Sequence, residues 1–529
     1  MVMNFGWCGS HEMGPAGADS VMSGNRVSRS RHPCLPPLPI WSHYVQVEPI
    51  FHALAERGHN VTVCSPYPPK KRTENFNHIL LGMEKWTDLM ASWNPVDQFK
   101  LWHPVQMVPE WKALADLLVP EVLGSDVLRG LLGSKFDLIF MELFFGQEAF
   151  VVLGRLFNAS IVSYSSFGYS PQVLRAVGAT NAFSYVPHKD LPYAGPMSLL
   201  QRLDNAFLSY ATMLHFHYWY YPAHDEIIAR LVPGGHPPIV DMLGTVSLVF
   251  VTGNTALDGA RLYPPCVVQL TALHLKDPKP LDKELQSIMD KAEHGVIYFS
   301  YGSIIKMSHL PRSIIEMFLS TFERLDQIVL WKTDLNTTDL NIPKNVLVRS
   351  WFEQTSVLAH PNCVLFVTHG GLSSMMEAIR AAVPIVGTSF YGDQIINLAN
   401  AEYYGFGIHV HYSSLTQQSF HAAITRVLSD PTFKLNAIQR SNIFKDEPVS
   451  PLDKAVYWVE YVIRHKGAHH LKPLAAHIPW YQLFLLDVIV VSSAALLVLA
   501  YTVYIVVKVV LYLTRPLCGG SKSMKVKLN

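Results

Sequence analysis

Residues 364–377 read VLFVTHGGLSSMME, and the organisation of the whole chain follows from how this stretch must fold. An apolar, β-branched run passes into Thr-His-Gly-Gly, and a helix-forming sequence begins at once. Adjacent glycines let backbone approach a ligand closely, and a new helix presents unpaired N–H groups at the positive end of its dipole. That arrangement suits a diphosphate, with His369 as a further donor. Glu377 stands six residues past Gly371, on the second helical turn. A carboxylate there can accept protons from two ribose hydroxyls. The next apolar run ends in Gly392-Asp393-Gln394, again at a helix start, where an acid and an amide together suit sugar hydroxyls. Upstream, Trp351 and Gln354 precede a helix ending at His360-Pro361. A flat indole can stack on a base and an amide can read its edge.

The same alternation extends in both directions. Strands are expected at 296–300 (VIYFS), 328–331, 346–348 and 364–368, with a helix over 312–324 and further helices from Gly371 and Asp393. In the first half, Val47, Ile50, Phe51 and Leu54 recur at helical spacing and Gly58 stops the helix. A strand NVTVC (60–64) follows, then a Ser-Pro-Tyr-Pro-Pro breaker, then strands at 137–140 and 161–166. Residues 275–283 (LKDPKPLDK), proline-rich and charged, read as a linker. Strands alternating with helices imply two α/β doubly wound units, with parallel sheets covered on both faces and a cleft between them. The aromatic run 206–221 (AFLSYATMLHFHYWYY) is equally compatible with plain core and with the wall of an apolar pocket.

Residues 351–407 resemble the signature of the animal UDP-glycosyltransferases, the UDP-glucuronosyltransferase family. The matching positions are Trp351, Gln354, Leu358, His360, Pro361, Phe366, Thr368, His369, Gly370, Gly371, Ser374, Glu377, Pro384, Asp393, Gln394, Asn397, Gly405 and Gly407. Tyr298-Phe299-Ser300, Gly302-Ser303, Trp331-Lys332 and 458–471 (WVEYVIRHKGAHHL) extend the likeness, which runs from about Ser42 to the C-terminus. The resemblance implies a GT-B fold of two Rossmann-like domains and a metal-free, inverting transfer from a UDP-sugar to small lipophilic acceptors. It implies no cofactor beyond UDP-glucose or UDP-glucuronate as co-substrate. Trp351 and Gln354 would hold uracil, and Glu377 the ribose. His369, Gly370, Gly371, Ser374 and Ser303 would lie at the diphosphate, and Asp393 and Gln394 at the sugar.

The family's base is the histidine of a Ser-His pair ahead of the first helix, here Ser42-His43. An imidazole with a pKa of about 6.5 can take a hydroxyl proton near neutral pH. The family orients it with an aspartate, and Glu142 stands at the matching place. Other departures are Glu353 for proline, Ala382 for glycine and Ser389 for a common proline, all expected in loops shaping the donor pocket. The strand expected before Ser42 is replaced by 33–40 (PCLPPLPI), whose four prolines argue against a central strand.

Bulk properties narrow the alternatives. With 42 basic and 41 acidic residues in 529, no basic footprint for nucleic acid exists. Residues 488–507 (VIVVSSAALLVLAYTVYIVV) carry no charge and are long enough to cross about 30 Å of hydrocarbon. Trp480 and Tyr481 before it, and Tyr504 and Tyr512 near its end, suit the interfaces. Lys508, Arg515, Lys522, Lys525 and Lys527 follow with no acid among them, so the tail belongs in the cytoplasm and the body in the lumen. Lys525-Val526-Lys527 resembles a K-x-K-x-x retrieval signal of the endoplasmic reticulum. Residues 1–41 form an atypical lead without a clear signal peptide, so export and the first strand are both expected to fail from this start. Six cysteines make no disulfide framework or zinc spacing, and Asn60, Asn158 and Asn336 are sequons.

The expected organisation is a lead (1–41), an acceptor domain (42–274), a linker (275–285) and a donor domain with return helices (286–470). A membrane helix (483–508) and a basic tail (509–529) complete it. Rival readings are a catalytically silent, membrane-anchored partner subunit and a transferase for membrane lipids. Homo- or hetero-oligomers stay open.

Overall fold

A computed structural model describes residues 31–34, 41–92, 107–144, 146–168, 171–179 and 182–514. Among them, seven strands form one sheet: β1 (Arg31–Cys34), β2 (Asn60–Ser65), β3 (Phe76–Leu80), β4 (Leu138–Glu142), β5 (Ser160–Ser165), β6 (Leu248–Thr252) and β7 (Val267–Leu270). Six form a second: β8 (Val296–Ser300), β9 (Ile328–Lys332), β10 (Val346–Arg349), β11 (Cys363–Thr368), β12 (Ile385–Gly387) and β13 (Gly407–His409). Every pairing is parallel. Burial explains why: β4 (LIFME), β6 (LVFVT) and β8 (VIYFS) are buried at every position, as a sheet covered on both faces requires.

The strand orders are β3-β2-β1-β4-β5-β6-β7 and β10-β9-β8-β11-β12-β13. In each, the direction of winding reverses beside the unit's first strand, between β1 and β4 and between β8 and β11. Ligands of open α/β sheets bind outside the strand C-termini at such reversals. Glu142 ends β4, and the segments after β1, β8 and β11 carry His43, Gly302 and His369. Topology alone therefore places the four in the cleft.

The expectation that no strand precedes Ser42 is overturned. β1 lies in the middle of its sheet, in register with β2 from Arg31↔Asn60 to Cys34↔Val63 and with β4 at Cys34↔Phe140. Of the four prolines in 33–40, only Pro33 falls within it. Proline withholds an N–H but keeps its carbonyl, and its fixed φ is compatible with extended backbone. A four-residue strand carries one such loss when long neighbours on both sides supply the burial. Residues 1–30 and 35–40 lie outside the described residues, as does the basic tail from residue 515.

Helix α1 (Trp41–Glu56) buries Val47, Ile50, Phe51 and Leu54, the stripe read from their spacing, and Gly58 ends it at φ +91°. The aromatic run resolves into α2 (Leu199–His215), one π turn (Phe216–Tyr220) and a helix over Tyr221–Leu231. Phe216 and Tyr220 are core, whereas Phe207, Tyr218 and Trp219 are exposed. In the second unit, α3 (Leu372–Arg380) follows β11 and α4 (Gln394–Tyr403) follows β12. Helix α5 (Pro451–Arg464) crosses back to the first sheet. Its Ala455, Val456, Val459 and Val462 join Val47, Phe51, Val61 and Phe140 in one cluster. Helix α6 (Leu486–Thr514) buries no side chain, and its 29 residues extend about 43 Å at 1.5 Å per residue.

Candidate active site

His43 enters on the first turn of α1, Glu142 closes β4, and Ser166 follows β5. His43 Nδ1 lies 2.9 Å from Glu142 Oε2 and 2.8 Å from Ser166 Oγ. Ser166 donates its hydroxyl to Glu142 Oε1 and its N–H to the same oxygen at 3.2 Å. The imidazole is 4% and the carboxylate 0% exposed, so neither exchanges these partners for bulk water. Burial alone would raise the Glu142 carboxyl. The attraction of the His43 ring, with the bonds from His43 and Ser166, outweighs it and holds the group below its usual value. An ionised Glu142 can only accept, so Nδ1 carries the proton and Nε2 is the nitrogen left to take one. Glu142 therefore reaches His43 despite being one methylene longer than aspartate. Phe167 meets the His43 ring edge-on at 4.5 Å, and Phe144 lies 6.1 Å beyond Phe167, an apolar wall beside the base.

Gln46, one turn along α1, is also buried. Its Oε1 accepts from Tyr164 Oη at 2.9 Å and Thr252 Oγ1 at 3.0 Å. Its Nε2 donates to the Ser42 carbonyl at 2.9 Å and to Ser373 Oγ at 3.4 Å, on the first turn of α3. The helix bearing the base is thus tied to the start of the helix after His369-Gly370-Gly371.

Around His369 only glycine fits. A Cβ on Gly302 would lie 2.7 Å from His369 Cε1, and one on Gly371 2.5 Å from Nε2. Gly370, at φ +87°, would place one 2.6 Å from Leu398 Cγ. His369 Nδ1 is buried and has no partner among the described residues. Burial, with the Lys332 ammonium nearby, pushes this histidine down to about 4, so the ring is neutral and can donate one hydrogen bond. Lys332 Nζ donates to the Gly302 carbonyl at 2.6 Å and stands 5.1 Å over the Trp351 ring. Ser303 is exposed beside it.

Trp351 is 59% exposed, so an indole face is open to stacking, and its Nε1 donates to Glu353 Oε1 at 3.4 Å. Gln354 Nε2 donates to Glu377 Oε2 at 2.6 Å and to Ser374 Oγ at 3.1 Å. The proposed base reader and ribose acceptor therefore hold each other. Burial pushes Glu377 up to about 7, against the Gln354 bond and Arg380.

Asp393 and Gln394 are more committed to the fold than their types suggest. Asp393 Oδ2 accepts from Leu372 N at 3.1 Å and from Asn397 Nδ2 at 2.7 Å, capping α3. Burial pushes its carboxyl up to about 6, against those bonds and the charge of Lys189. Gln394 Oε1 accepts from Phe390 N at 2.8 Å and Tyr391 N at 3.2 Å, which leaves its Nε2 as the group able to donate. Asn397 also donates to the Gly370 carbonyl at 2.9 Å, fixing the glycine turn.

The expectation that Ala382 shapes the donor pocket is corrected. It follows the C-terminus of α3, about 13 Å along the helix from Leu372. Its φ of +56° explains the glycine elsewhere in the family, since a side chain in that conformation costs about 1–2 kcal/mol. Ser389 is buried, with its Oγ 2.8 Å from His409 Nε2. Sequence reasoning missed Ser166, Gln46 and the tie made by Asn397. A polar residue at the C-terminal end of an apolar strand was the signal available for Ser166.

Known proteins resemble this chain along most of its length. The family model for UDP-glucoronosyl and UDP-glucosyl transferases matches residues 38–524. UDP-glycosyltransferase UGT4 of Dactylopius coccus is 33% identical over 469 residues, covering 88% of this chain and 92% of that protein. Human UDP-glucuronosyltransferase 2B7 is 29% identical over 503 residues, covering 89% and 91%. Among solved structures, the calicheamicin glycosyltransferase CalG4 superposes with a TM-score of 0.55 at 15% identity, covering 83% of this chain and 99% of that one. UDP-glucose:anthocyanidin 3-O-glucosyltransferase in complex with UDP gives 0.55 and 15%, with the same coverage. At such identities the likeness establishes the fold, GT-B.

Proposed function

Because the chain belongs to the UDP-glucoronosyl and UDP-glucosyl transferase family, we propose that it moves a hexosyl or glucuronosyl group from UDP-glucose or UDP-glucuronate to the hydroxyl of a small lipophilic acceptor, by single displacement without a metal. It is a glycosyltransferase, and the observation that carries the finer reading is the buried His43–Glu142 pair. As the acceptor oxygen attacks C1 of the sugar, His43 Nε2 takes its proton. Glu142 stabilises the imidazolium that forms and fixes the tautomer beforehand. The bond from C1 to the diphosphate oxygen breaks on the opposite face, so configuration inverts. The charge left on UDP meets the start of α3 and the His369 donor. Trp351 and Gln354 serve uracil, Glu377 the ribose, Ser303 and Ser374 the diphosphate, and Asp393 and Gln394 the sugar. The Phe144–Phe167 wall favours an apolar acceptor. The body lies in the lumen of the endoplasmic reticulum, with α6 crossing the membrane and the basic tail in the cytoplasm.

UDP release, measured with each UDP-sugar and a panel of phenols, steroids and fatty alcohols, tests this. Turnover should appear with at least one pair and fall about 10²–10⁴-fold in His43→Ala, with UDP affinity unchanged. Turnover that survives the substitution refutes the assignment of the base. A chain that binds UDP and transfers to nothing is the silent partner subunit instead.

A further inference from the structure

Between the inner face of α2 and residues 476–484 lies a cavity of about 700 Å³, within the range of small-molecule sites. None of His43, Glu142, Ser166 and the donor-site residues lines it. Its walls are mainly apolar, with Phe183, Trp480 and Phe484 prominent. Two lining side chains have polar atoms that nothing satisfies. His188 is 1% and Ser209 4% exposed, yet His188 Nε2 and Ser209 Oγ have no partner among the described residues. His188 Nδ1 accepts the Asp190 N–H at 3.4 Å. The Asp190 carboxylate also lies 3.4 Å from Nδ1, and burial pushes the ring down to about 4, so it is neutral, with Nε2 the nitrogen left unpaired. The residues lining the cavity thus include one unpaired imidazole nitrogen and one unpaired hydroxyl. Buried polar groups are normally paired, and an unpaired couple in an apolar cavity marks where a ligand would pair them.

The cavity lining reaches Phe484, two residues before α6, the helix proposed to cross the membrane. Phe484 stacks on Phe183 at 5.9 Å and meets Tyr210 of α2 edge-on at 5.3 Å. On its outer side α2 exposes Leu199, Leu203 and Phe207 at helical spacing. Trp480 and Tyr481 supply interfacial rings beside them. A helix with such an apolar stripe, packed beside the start of a membrane span, is suited to lie along the bilayer surface. The remaining charges favour a neutral occupant. Arg175 and Asp241, both lining the cavity, are of opposite sign, and Arg175 also donates to the carbonyls of Ala475 and Ile478, at 3.4 and 3.5 Å.

We infer that this cavity is a second binding site, for a neutral lipophile bearing a hydroxyl group and taken up from the bilayer. The apolar body packs among Phe183, Trp480 and Phe484. The hydroxyl pairs with His188 Nε2 and Ser209 Oγ. A membrane sterol or fatty alcohol has this chemistry, and so does an acceptor on its way to His43. The inference does not depend on how transfer occurs.

The test is photolabelling of the full chain in lipid nanodiscs with a long-chain fatty alcohol carrying a diazirine, against the matched hydrocarbon without the hydroxyl. The alcohol should label peptides covering 183–221 and 476–484 about tenfold more than the hydrocarbon, the difference two hydrogen bonds would make. Ser209→Phe, which fills the cavity, should abolish that labelling, and Ser209→Ala should lower the preference several-fold. UDP binding measured in both variants certifies the fold. Equal labelling by the two probes, or labelling that persists in a UDP-binding Ser209→Phe protein, overturns the proposal. Adding UDP-sugar before irradiation separates the sources. A label lost in the active protein but kept in His43→Ala was an acceptor in transit, and one kept in both is a resident lipid.

Discussion

Glu142→Gln isolates what the carboxylate does for His43. The change keeps the volume and removes the charge. Glutamine Oε1 can still accept the Ser166 N–H that now approaches at 3.2 Å, so the loop after β5 stays in place. What changes is the 2.9 Å contact to His43 Nδ1. If the amide turns its NH₂ toward that nitrogen, Nδ1 must accept, the proton moves to Nε2, and the base is blocked. If it turns its oxygen there, the tautomer survives but the imidazolium loses its counter-charge. Hydrogen bonds to charged groups exceed neutral ones by about 1 kcal/mol or more, and the corresponding amide substitution in serine proteases costs about 10⁴-fold. The expected loss in kcat is therefore about 10²–10⁴-fold, with KM for the UDP-sugar and Kd for UDP unchanged, because the donor contacts come from the other sheet. Single-turnover transfer and calorimetric UDP binding measure the two. A Glu142→Gln enzyme within about threefold of the parent would show that the dyad is not the acid–base machinery.

Glu377 gives a pH prediction. Its folded-state pKa of about 7 exceeds the ordinary 4.5, so its contribution to stability is full below 4.5 and is lost as pH rises through 7. The ribose contact proposed for the ionised form runs the other way. UDP affinity should rise by up to about tenfold between about pH 6 and 8, and Glu377→Gln should flatten the titration. Asp393→Asn should retain UDP and lose UDP-sugar, whereas Asp393→Ala, which also uncaps α3, should lower the melting temperature by an amount equivalent to about 1 kcal/mol and weaken UDP as well. A thermally normal alanine variant would refute the capping role. Asn60, Asn158 and Asn336 are all exposed, so a luminal body should lose up to three glycans to an endoglycosidase, and changing Lys525 and Lys527 to serine should send it beyond the endoplasmic reticulum.

What was legible in the sequence was local. The passage from β11 through His369-Gly370-Gly371 into α3 could be read because period, glycine pair and helix start fall within 14 consecutive residues. The buried stripe of α1 could be read for the same reason. Features set by distant partners could not. β1 owes its place to β2 and β4 rather than to the propensity of Arg-His-Pro-Cys, so its own residues argued against it. Asp393 caps a helix that begins 21 residues earlier, and nothing near it announces that commitment. Ser166 is an ordinary serine until Glu142 and His43 are brought to it from two other segments. Exposed and buried rings of the aromatic run alternate within the π turn, which inserts an extra residue that helical periodicity does not anticipate.

The return of α5 to the first sheet has a consequence for synthesis. Ala455, Val456, Val459, Val462 and Ala468 fill a cluster whose other buried members come from the first 270 positions, and each is at most 1% exposed. The amino-terminal unit cannot finish its core until the ribosome has passed residue 464. At about 5–20 residues per second, those earlier strands wait roughly 10 to 40 seconds with an apolar face uncovered. The second sheet, whose parts lie between residues 283 and 445, has all its pieces sooner and can be complete first. Order of emergence and order of completion are thus reversed in this chain. Holding chaperones are needed longest by its amino-terminal half, and a nascent chain stalled just short of residue 451 would present one folded unit and one that cannot close.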